Sequence, residues 1–398
     1  MVSKPLEKQM SLIPTNVEWC KKCVISNQRP RITFDENGIC AACNNRASRK
    51  IINWKKRERQ LAELLDRHRD ATGSWDVVVP SSGGKDSCYV AHQLKHEYGM
   101  NPLLVTWSPL KYTDIGLQNF DALSDSGFTA IRCTPDGQIH RKLARLCFEE
   151  FGDAFHVFVL GQVYFPIHMA LKFGIDLIFY GENGEVEYAG DPTFVDQPYR
   201  DLLNDKAWLK GYMKGTTIDE LIAYGVETKD YMKDTDWSKC DLSFYRPPEV
   251  EDMRLKNTSK LHFFGYFKEW IPQENFYYAA EHTGFKPNPE RTEGTYSKYA
   301  SLDDKMDGFH YYMRYIKFGL GRCMEDAAHE IRDGHITREE GIALMGRYEG
   351  EFPKRHFREF LEYLDITEEH FWKVVDEWRP EHLWKKDGND WVLRTPAN

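Results

Sequence analysis

Residues 76–87 read DVVVPSSGGKDS, an apolar run followed by a short loop of serine and glycine. The run 76–80 is typical of a buried strand, and residues 87–98 have the pattern of a helix. A loop between a strand and a helix points successive backbone N–H groups and the positive helix end at one place, where an anion binds. The glycines let a ligand approach the backbone closely. The stretch therefore predicts a phosphate-binding loop.

The side chains of this loop also suit phosphate. Lys85 offers a mobile positive charge, and serine hydroxyls offer hydrogen-bond donors. The loop is not a Walker A motif, because Asp86 stands where that motif needs Ser or Thr. An ordinary glycine-rich turn is the alternative, which the strand–loop–helix context disfavours. The residues predicted to surround the phosphates are Pro80, Ser81, Ser82, Gly83, Gly84, Lys85, Asp86 and Ser87.

Strands and helices alternate after the loop. We predict strands at 102–107, 129–133 and 176–180, and helices at 115–126, 138–151 and 160–173. This alternation indicates an α/β fold with a parallel sheet, covered on both faces, that binds ligands at the carboxyl ends of its strands. Beyond about residue 245 the strand signal fades, and helix-start signals such as Thr337-x-x-Glu340 dominate.

The chain of 398 residues is too long for one ordinary core. We expect four parts, of which the second is an amphipathic helix that connects a small module to the main domain. They are a four-cysteine module at 17–48, the connecting helix at 49–72, the sheet domain at 73–245 and a mostly helical region at 246–398. Residues 190–245 are the predicted long functional loop.

Four of the nine cysteines form the pairs Cys20-x2-Cys23 and Cys40-x2-Cys43, which are sixteen residues apart. This spacing predicts a zinc ribbon, in which four thiolates fill the tetrahedral shell and the metal is structural. An iron–sulfur cluster is the alternative. Disulfides do not suit the cytoplasm, the compartment that we expect.

Composition limits the classes of partner. A net charge of -9 opposes a protein that coats nucleic acid, which needs clustered Lys and Arg. The chain has no apolar window of membrane-spanning length, and residues 1–16 do not resemble a signal peptide. We therefore expect a cytoplasmic protein that binds neither nucleic acid nor membrane.

The motif SGGKDS at 82–87 resembles the signature of the PP-loop synthetases, a superfamily of ATP pyrophosphatases with a Rossmann-like (HUP) fold. The resemblance implies ATP cleaved between its α and β phosphates, Mg²⁺ between the phosphates, and an adenylated substrate from which a nucleophile displaces AMP. By the same resemblance, Thr106 and Trp107 at the end of the second strand lie against the adenosine. An ordinary strand end is the alternative for these two residues.

The fourth strand ends in Gly181-Glu182-Asn183, at the edge that should face ATP. Glu182 is predicted to hold Mg²⁺ or to receive the incoming amine, with Gly181 and Asn183 beside the nucleotide. The competing interpretation is a solvated acidic turn, because further acids follow at Glu185, Glu187 and Asp191. The predicted catalytic residues are Lys85, Asp86 and Glu182.

Four blocks in order, CVISNQRPRITFDENGICAAC, SGGKDS, FYGENGEVEYAGDP and EGTYSKYASLDDKMDGFHYYMRYIKFGLGR, resemble the bacterial N-acetyl sugar amidotransferases of the WbpG/PseA type. The resemblance covers about residues 17–375. It implies an enzyme of O-antigen or pseudaminic acid synthesis that adenylates the acetamido oxygen of a (nucleotide) sugar and replaces it with ammonia. The ammonia would come from a separate HisH-like glutaminase with a HisF-like, cyclase-like companion. No glutaminase motif is visible in the chain.

Residues 293–305 are dense in Tyr, Lys and Asp and are candidates to close over the sugar, with Lys298 as a second phosphate contact. A solvated helix face is the alternative for this run. Two other functions remain open. A PP-loop tRNA-thiolating enzyme would need catalytic cysteines and a basic face, and a non-catalytic nucleotide-binding protein would not need the intact Lys85 and Asp86.

Overall fold

A computed structural model of the protein describes residues 4–70, 72–188, 190, 196–206 and 214–397. Its centre is a six-stranded sheet in the order β3-β2-β1-β4-β6-β5, in which only β5 at the edge runs antiparallel to its neighbour. A two-stranded hairpin, β7–β8, lies near the C-terminus. The strands are β1 Val77–Pro80, β2 Pro102–Trp107, β3 Thr129–Cys133, β4 Ile178–Tyr180, β5 Tyr199–Asp201, β6 Lys260–Phe263, β7 Trp384–Asp387 and β8 Asp390–Leu393.

Helices cover both faces of the sheet and make up most of the C-terminal part. The helices of the N-terminal half are α1 Ala41–Ser48, α2 Trp54–His68, α3 Lys85–His92, α4 Asp114–Asp125, α5 Gly137–Phe151, α6 His156–Phe173 and α7 Gly184–Glu187. Those that follow are α8 Ile218–Thr228, α9 Asp230–Lys233, α10 Val250–Lys256, α11 Phe264–Phe267, α12 Pro272–His282, α13 Asp307–Phe318, α14 Arg322–Asp333, α15 Arg338–Tyr348, α16 Phe357–Leu364 and α17 Glu368–Glu377.

The central strands are apolar throughout because both of their faces are buried. Side chains alternate between the faces of a strand. Val78 and Leu103 therefore point into one core with α5 and α6, whereas Val77 and Leu104 point into the other with α2 and α3. The two cores fix the carboxyl ends of β1, β2 and β4 along one edge of the sheet, where the glycine-rich loop 81–87 begins.

The predicted α/β class, with a mostly parallel sheet and a helical C-terminal region, is confirmed. The sequence analysis missed β5, β6 and the hairpin. β6 pairs with β4, so the sheet continues past residue 245, where we expected its domain to end. Its sequence KLHF carries Lys and His among four residues, which hides the apolar signal of a buried strand. Part of the expected long loop 190–245 lies outside the described residues.

The four-cysteine module packs against the C-terminal helices rather than standing apart. Its buried residues, such as Val24 and Ile25, share a core with Leu320 and Met324 at the start of α14. Within the described ranges, no helix combines the length and apolarity that crossing a membrane requires.

Candidate functional site

A cavity of about 540 Å³ opens at the carboxyl ends of β1, β2 and β4. A smaller cavity of about 140 Å³ adjoins it on the other side of the glycine-rich loop. The two share Ser82, Gly84, Asp86, Asp303 and Arg322. The loop and the C-terminal third of the chain therefore face each other across one site.

Hydrogen bonds within the glycine-rich loop hold its shape. The Ser81 hydroxyl lies 3.0 Å from that of Ser87 and accepts from the Gly83 N–H at 3.3 Å. The Ser87 hydroxyl is 3.0 Å from the Gly84 carbonyl. Helix α3 begins directly after Gly84 without a side-chain cap, so its first N–H groups are available to an anion.

Gly83 is the position at which the loop tolerates no side chain. Its φ of +81° is left-handed, and an added Cβ would lie 2.7 Å from the Phe120 backbone. Gly84 is the matched control, because its φ is ordinary and an added Cβ would meet only the Ser82 hydroxyl, at 3.3 Å.

We expect Gly83→Ala to lower the free energy of unfolding by about 1–3 kcal/mol and Gly84→Ala to lower it less. Denaturant titration measures both, and equal effects would contradict this account of the loop.

Lys85 and Asp86 are fixed by groups far away in the sequence. Their side chains form an ion pair, and the buried Asn275 of α12 donates to the Asp86 carboxylate at 3.1 Å. The Lys85 ammonium also lies 5.6 Å from the ring centre of Tyr299. Helix α12 and the segment 293–305 thus orient the two predicted catalytic residues of the loop.

Glu182 follows β4 and lines the larger cavity opposite the loop. Burial, and then the negative charge of Asp86, raise the pKa of Glu182 to about 7. Burial, and then the charge of Asp307, raise the pKa of Asp303 to about 6. Carboxylates that repel one another in this way fit a bound cation, which would relieve the repulsion. Asp86, whose charge raises the pKa of Glu182, is accordingly the residue that would hold Mg²⁺.

Of the predicted nucleotide contacts at the other strand ends, Trp107 and Gly181 line the larger cavity and Thr106 does not. Trp107 lines the larger cavity but is almost fully buried, with its ring packed where a Cβ of Gly161 would lie. Thr106 is buried too, and its hydroxyl donates to the Ser81 carbonyl. Thr106 therefore supports the loop rather than facing either cavity. Gly181 lines the larger cavity beside Glu182.

Asn183 and Lys298 are not brought into either cavity. The Asn183 side chain caps α7 by accepting from the Glu185 N–H at 3.1 Å. Lys298 is exposed, and its ammonium donates to the Pro289 carbonyl at 2.8 Å. The segment 293–305 is irregular rather than a helix face, and it contributes Asp303 to both cavities.

The acids that follow Glu182 do not form a solvated turn. Glu185 and Glu187 are buried and pair with Arg31 and Arg49 of the N-terminal part. Asp191 lies outside the described residues. The contacts explain why this segment is acidic, since the guanidinium groups need buried partners.

Several cavity residues escaped the sequence analysis. Arg322 begins α14, lines both cavities and donates to Asp326 at 3.1 Å. Four further polar examples are Tyr188, Asp307, His310 and Tyr311. Four of these five stand inside the quoted block 293–322, but no spacing within that block separates cavity residues from core residues.

The four predicted metal ligands lie together and are fully buried. The Sγ atoms of Cys20, Cys23, Cys40 and Cys43 all lie within 4.8 Å of one another. Two of the separations are 3.9 Å, between Cys20 and Cys43, and 3.7 Å, between Cys23 and Cys40. A tetrahedral site with Zn–S bonds of about 2.3 Å needs sulfurs about 3.8 Å apart. The cluster therefore fits a structural zinc ion.

The metal module also contacts the segment that carries Glu182. Helix α1, which contains Cys43, packs on α7. Arg31, between the two cysteine pairs, forms its 3.0 Å ion pair with Glu185 of α7. The module therefore contacts α7, which begins two residues after Glu182.

Comparison with known proteins bears on the C-terminal part of the chain. No curated protein matches the sequence. Residues 293–396, about a quarter of the chain, match the family model described as "LPS biosynthesis protein WbpG-like, C-terminal domain". The matched range begins inside the irregular segment beside the cavity and includes Asp303, Asp307, His310 and Arg322. The match supports a WbpG-type protein of lipopolysaccharide biosynthesis.

Proposed function

We propose that the protein is an ATP-dependent amidotransferase of the PP-loop type that converts the acetamido group of an N-acetylated nucleotide sugar into an acetamidino group. One observation carries the proposal. The glycine-rich loop, predicted to bind phosphate, and the region matched by the WbpG-like model line the same cavity, which supports a reaction that involves both.

An amide carbon is a poor electrophile, so the amide oxygen must first be converted into a good leaving group before ammonia can replace it. The amide oxygen attacks the α-phosphorus of ATP, and pyrophosphate leaves toward Lys85 and the N–H groups of the loop. Ammonia then adds to the amide carbon, and the C–O bond breaks, so AMP departs with the former amide oxygen. Mg²⁺ held by Asp86 would supply charge neutralisation for the phosphates. The protein contributes alignment of the reactants and stabilisation of the developing charge.

Glu182 is the group proposed to take the proton that ammonia gives up. A base with a pKa near 7 works best at neutral pH, because it is largely deprotonated and still a competent acceptor. Arg322 and Lys85 both line the smaller cavity, where they would balance the negative charge of the nucleotide.

We expect a pH dependence that reports Glu182. The base acts only when deprotonated, so AMP formation should fall as pH drops through about 7, the raised pKa of Glu182. Glu182→Gln should lose this limb and lower the rate about 10²–10⁴-fold. The measurement is a pH profile with free ammonia held constant. The control is Glu251→Gln on α10, an exposed pair with Arg254, and an unchanged acid limb in Glu182→Gln would contradict the role.

The direct test of the proposal uses the full chain with Mg-ATP, ammonium and a panel of nucleotide N-acetyl sugars. Mass spectrometry should show AMP together with a sugar product in which NH has replaced O. Glutamine should replace ammonium only when a glutaminase of the HisH type and its HisF-like companion are added. Turnover of ATP with unmodified tRNA, and with no sugar in the panel, would instead favour a thiolating enzyme.

A further inference from the structure

A third cavity, of about 190 Å³, lies where the N-terminal module meets helix α13. We call it the basic pocket. Its walls carry five Lys or Arg side chains and one carboxylate. The lining residues are Gln9, Arg29, Pro30, Arg31, Gly152, Asp153, Lys214, His310, Arg314, Lys317, Phe318 and Leu320.

The positive charges of the basic pocket exceed the carboxylates that they contact. Among the described residues, these five cations form ion pairs with four acids, and two of those acids pair with two basic groups each. The pairs are Arg29 and Arg314 with Glu325, Lys214 and His310 with Asp153, Arg31 with Glu185, and Lys317 with Glu7. An anion that enters the pocket would meet charge that the protein does not fully neutralise.

Burial of the positively charged side chains makes their excess charge energetically costly. The Lys317 side chain is 3% exposed, and burial lowers its pKa to about 8 despite the contact with Glu7. Burial also lowers the pKa of Arg29, and the neighbouring Arg314 lowers it further. A buried cation is normally matched by an anion. Because five cations share four acids, a further anion in the pocket is expected to be a ligand.

Arg31 has both an unusual backbone conformation and a buried donor without a partner among the described residues. Its φ of +69° is left-handed, a strained conformation for a side chain of this size. Its buried Nε–H has no hydrogen-bond partner among the described residues, although the terminal nitrogen pairs with Glu185 at 3.0 Å. Strain and an unsatisfied donor together are typical of residues that contact a ligand.

The basic pocket adjoins the larger cavity through His310, which lines both. Its Nδ1 lies 2.8 Å from the Asp153 carboxylate, so the ring is held in place between the two spaces. The basic pocket and the larger cavity are therefore neighbours that share the His310 side chain.

We propose that the basic pocket binds the phosphate groups that the acetamido sugar carries, and thereby sets the distance at which the acetamido group meets ATP. Guanidinium groups bind phosphate oxygens in pairs, and a diphosphate supplies more negative charge than a single carboxylate. The proposal rests on the proposed function for the identity of the sugar, but the phosphate site itself is independent of the chemistry at Lys85.

The test is calorimetric titration with UDP, a diphosphate without the sugar, and with glucuronate, a sugar carboxylate. Both are run in the presence of saturating Mg²⁺ and a non-hydrolysable ATP analogue. We expect UDP to bind beside the analogue, and Arg31→Gln to weaken UDP at least tenfold. The exposed Arg358→Gln should leave UDP binding unchanged. Binding of glucuronate in place of UDP would overturn the assignment to phosphate.

A second pocket variant and the stoichiometry of analogue displacement complete the test. If the melting curve shows that Arg31→Gln is misfolded, Lys214→Met in the same pocket takes its place. Displacement of the analogue by UDP, one for one, would place UDP in the nucleotide site and overturn the proposal. If UDP binds as expected but no AMP forms with any acetamido sugar, the proposed function fails and the phosphate site stands.

Discussion

Lys85→Ala should abolish most AMP formation while the protein stays folded. Lys85 lines the smaller cavity, and in the proposed mechanism pyrophosphate leaves toward it. Removal of one such charge or donor at a transition state costs about 10²–10³-fold in rate. Asp86→Ala should have a similar effect, because it removes the carboxylate that Asn275 holds in place. Lys85 and Asp86 are the first two residues of α3 and do not belong to a hydrophobic core.

The measurement is AMP release by chromatography, with melting curves for every variant. Lys239→Ala and Asp230→Ala are the matched controls, because both side chains are highly exposed. Near-normal turnover in Lys85→Ala or Asp86→Ala, at an unchanged melting temperature, would remove the loop from the mechanism.

Cys20→Ser and Cys43→Ser should each release the metal and unfold the N-terminal module. A structural zinc site contributes its binding free energy to folding, so one lost thiolate destabilises the whole module. The module shares a core with α14 and touches α7, so activity should fall together with stability. Metal analysis and thermal unfolding measure the two effects.

Cys240→Ser is the control for the cysteine variants, because Cys240 lies outside the cluster and is only partly buried. It should keep a full complement of zinc. Iron in place of zinc in the purified protein, or zinc retained after all four ligands are replaced, would contradict the assignment.

The parts of the fold that follow from local patterns were predictable. The loop between β1 and α3 could be predicted because its glycines and serines are consecutive in the sequence. The metal site could be predicted because each cysteine pair has the short spacing that a tetrahedral zinc site requires. The range of β2, 102–107, was also predicted correctly because an apolar run in a buried strand is continuous.

The remaining features depend on contacts between distant parts of the chain. Asn275 meets Asp86 across 189 positions, and nothing near either residue indicates the other. Lys298 looked suitable for phosphate by charge alone, whereas Arg322, 24 positions later, reaches both cavities because α14 begins there. The burial of Glu185 and Glu187 depends on Arg31 and Arg49, which the sequence places far away.

The central claim is that an amide oxygen becomes bonded to the α-phosphorus of ATP at this cavity. Substrate labelled with heavy oxygen in the acetyl carbonyl, incubated with the full chain, Mg-ATP and ammonium, tests it most directly. A parallel reaction in labelled water with unlabelled sugar corrects for exchange. Mass spectrometry should find the label from the sugar in AMP. Label in inorganic phosphate with ADP as coproduct, or AMP without label, would contradict the adenylation mechanism.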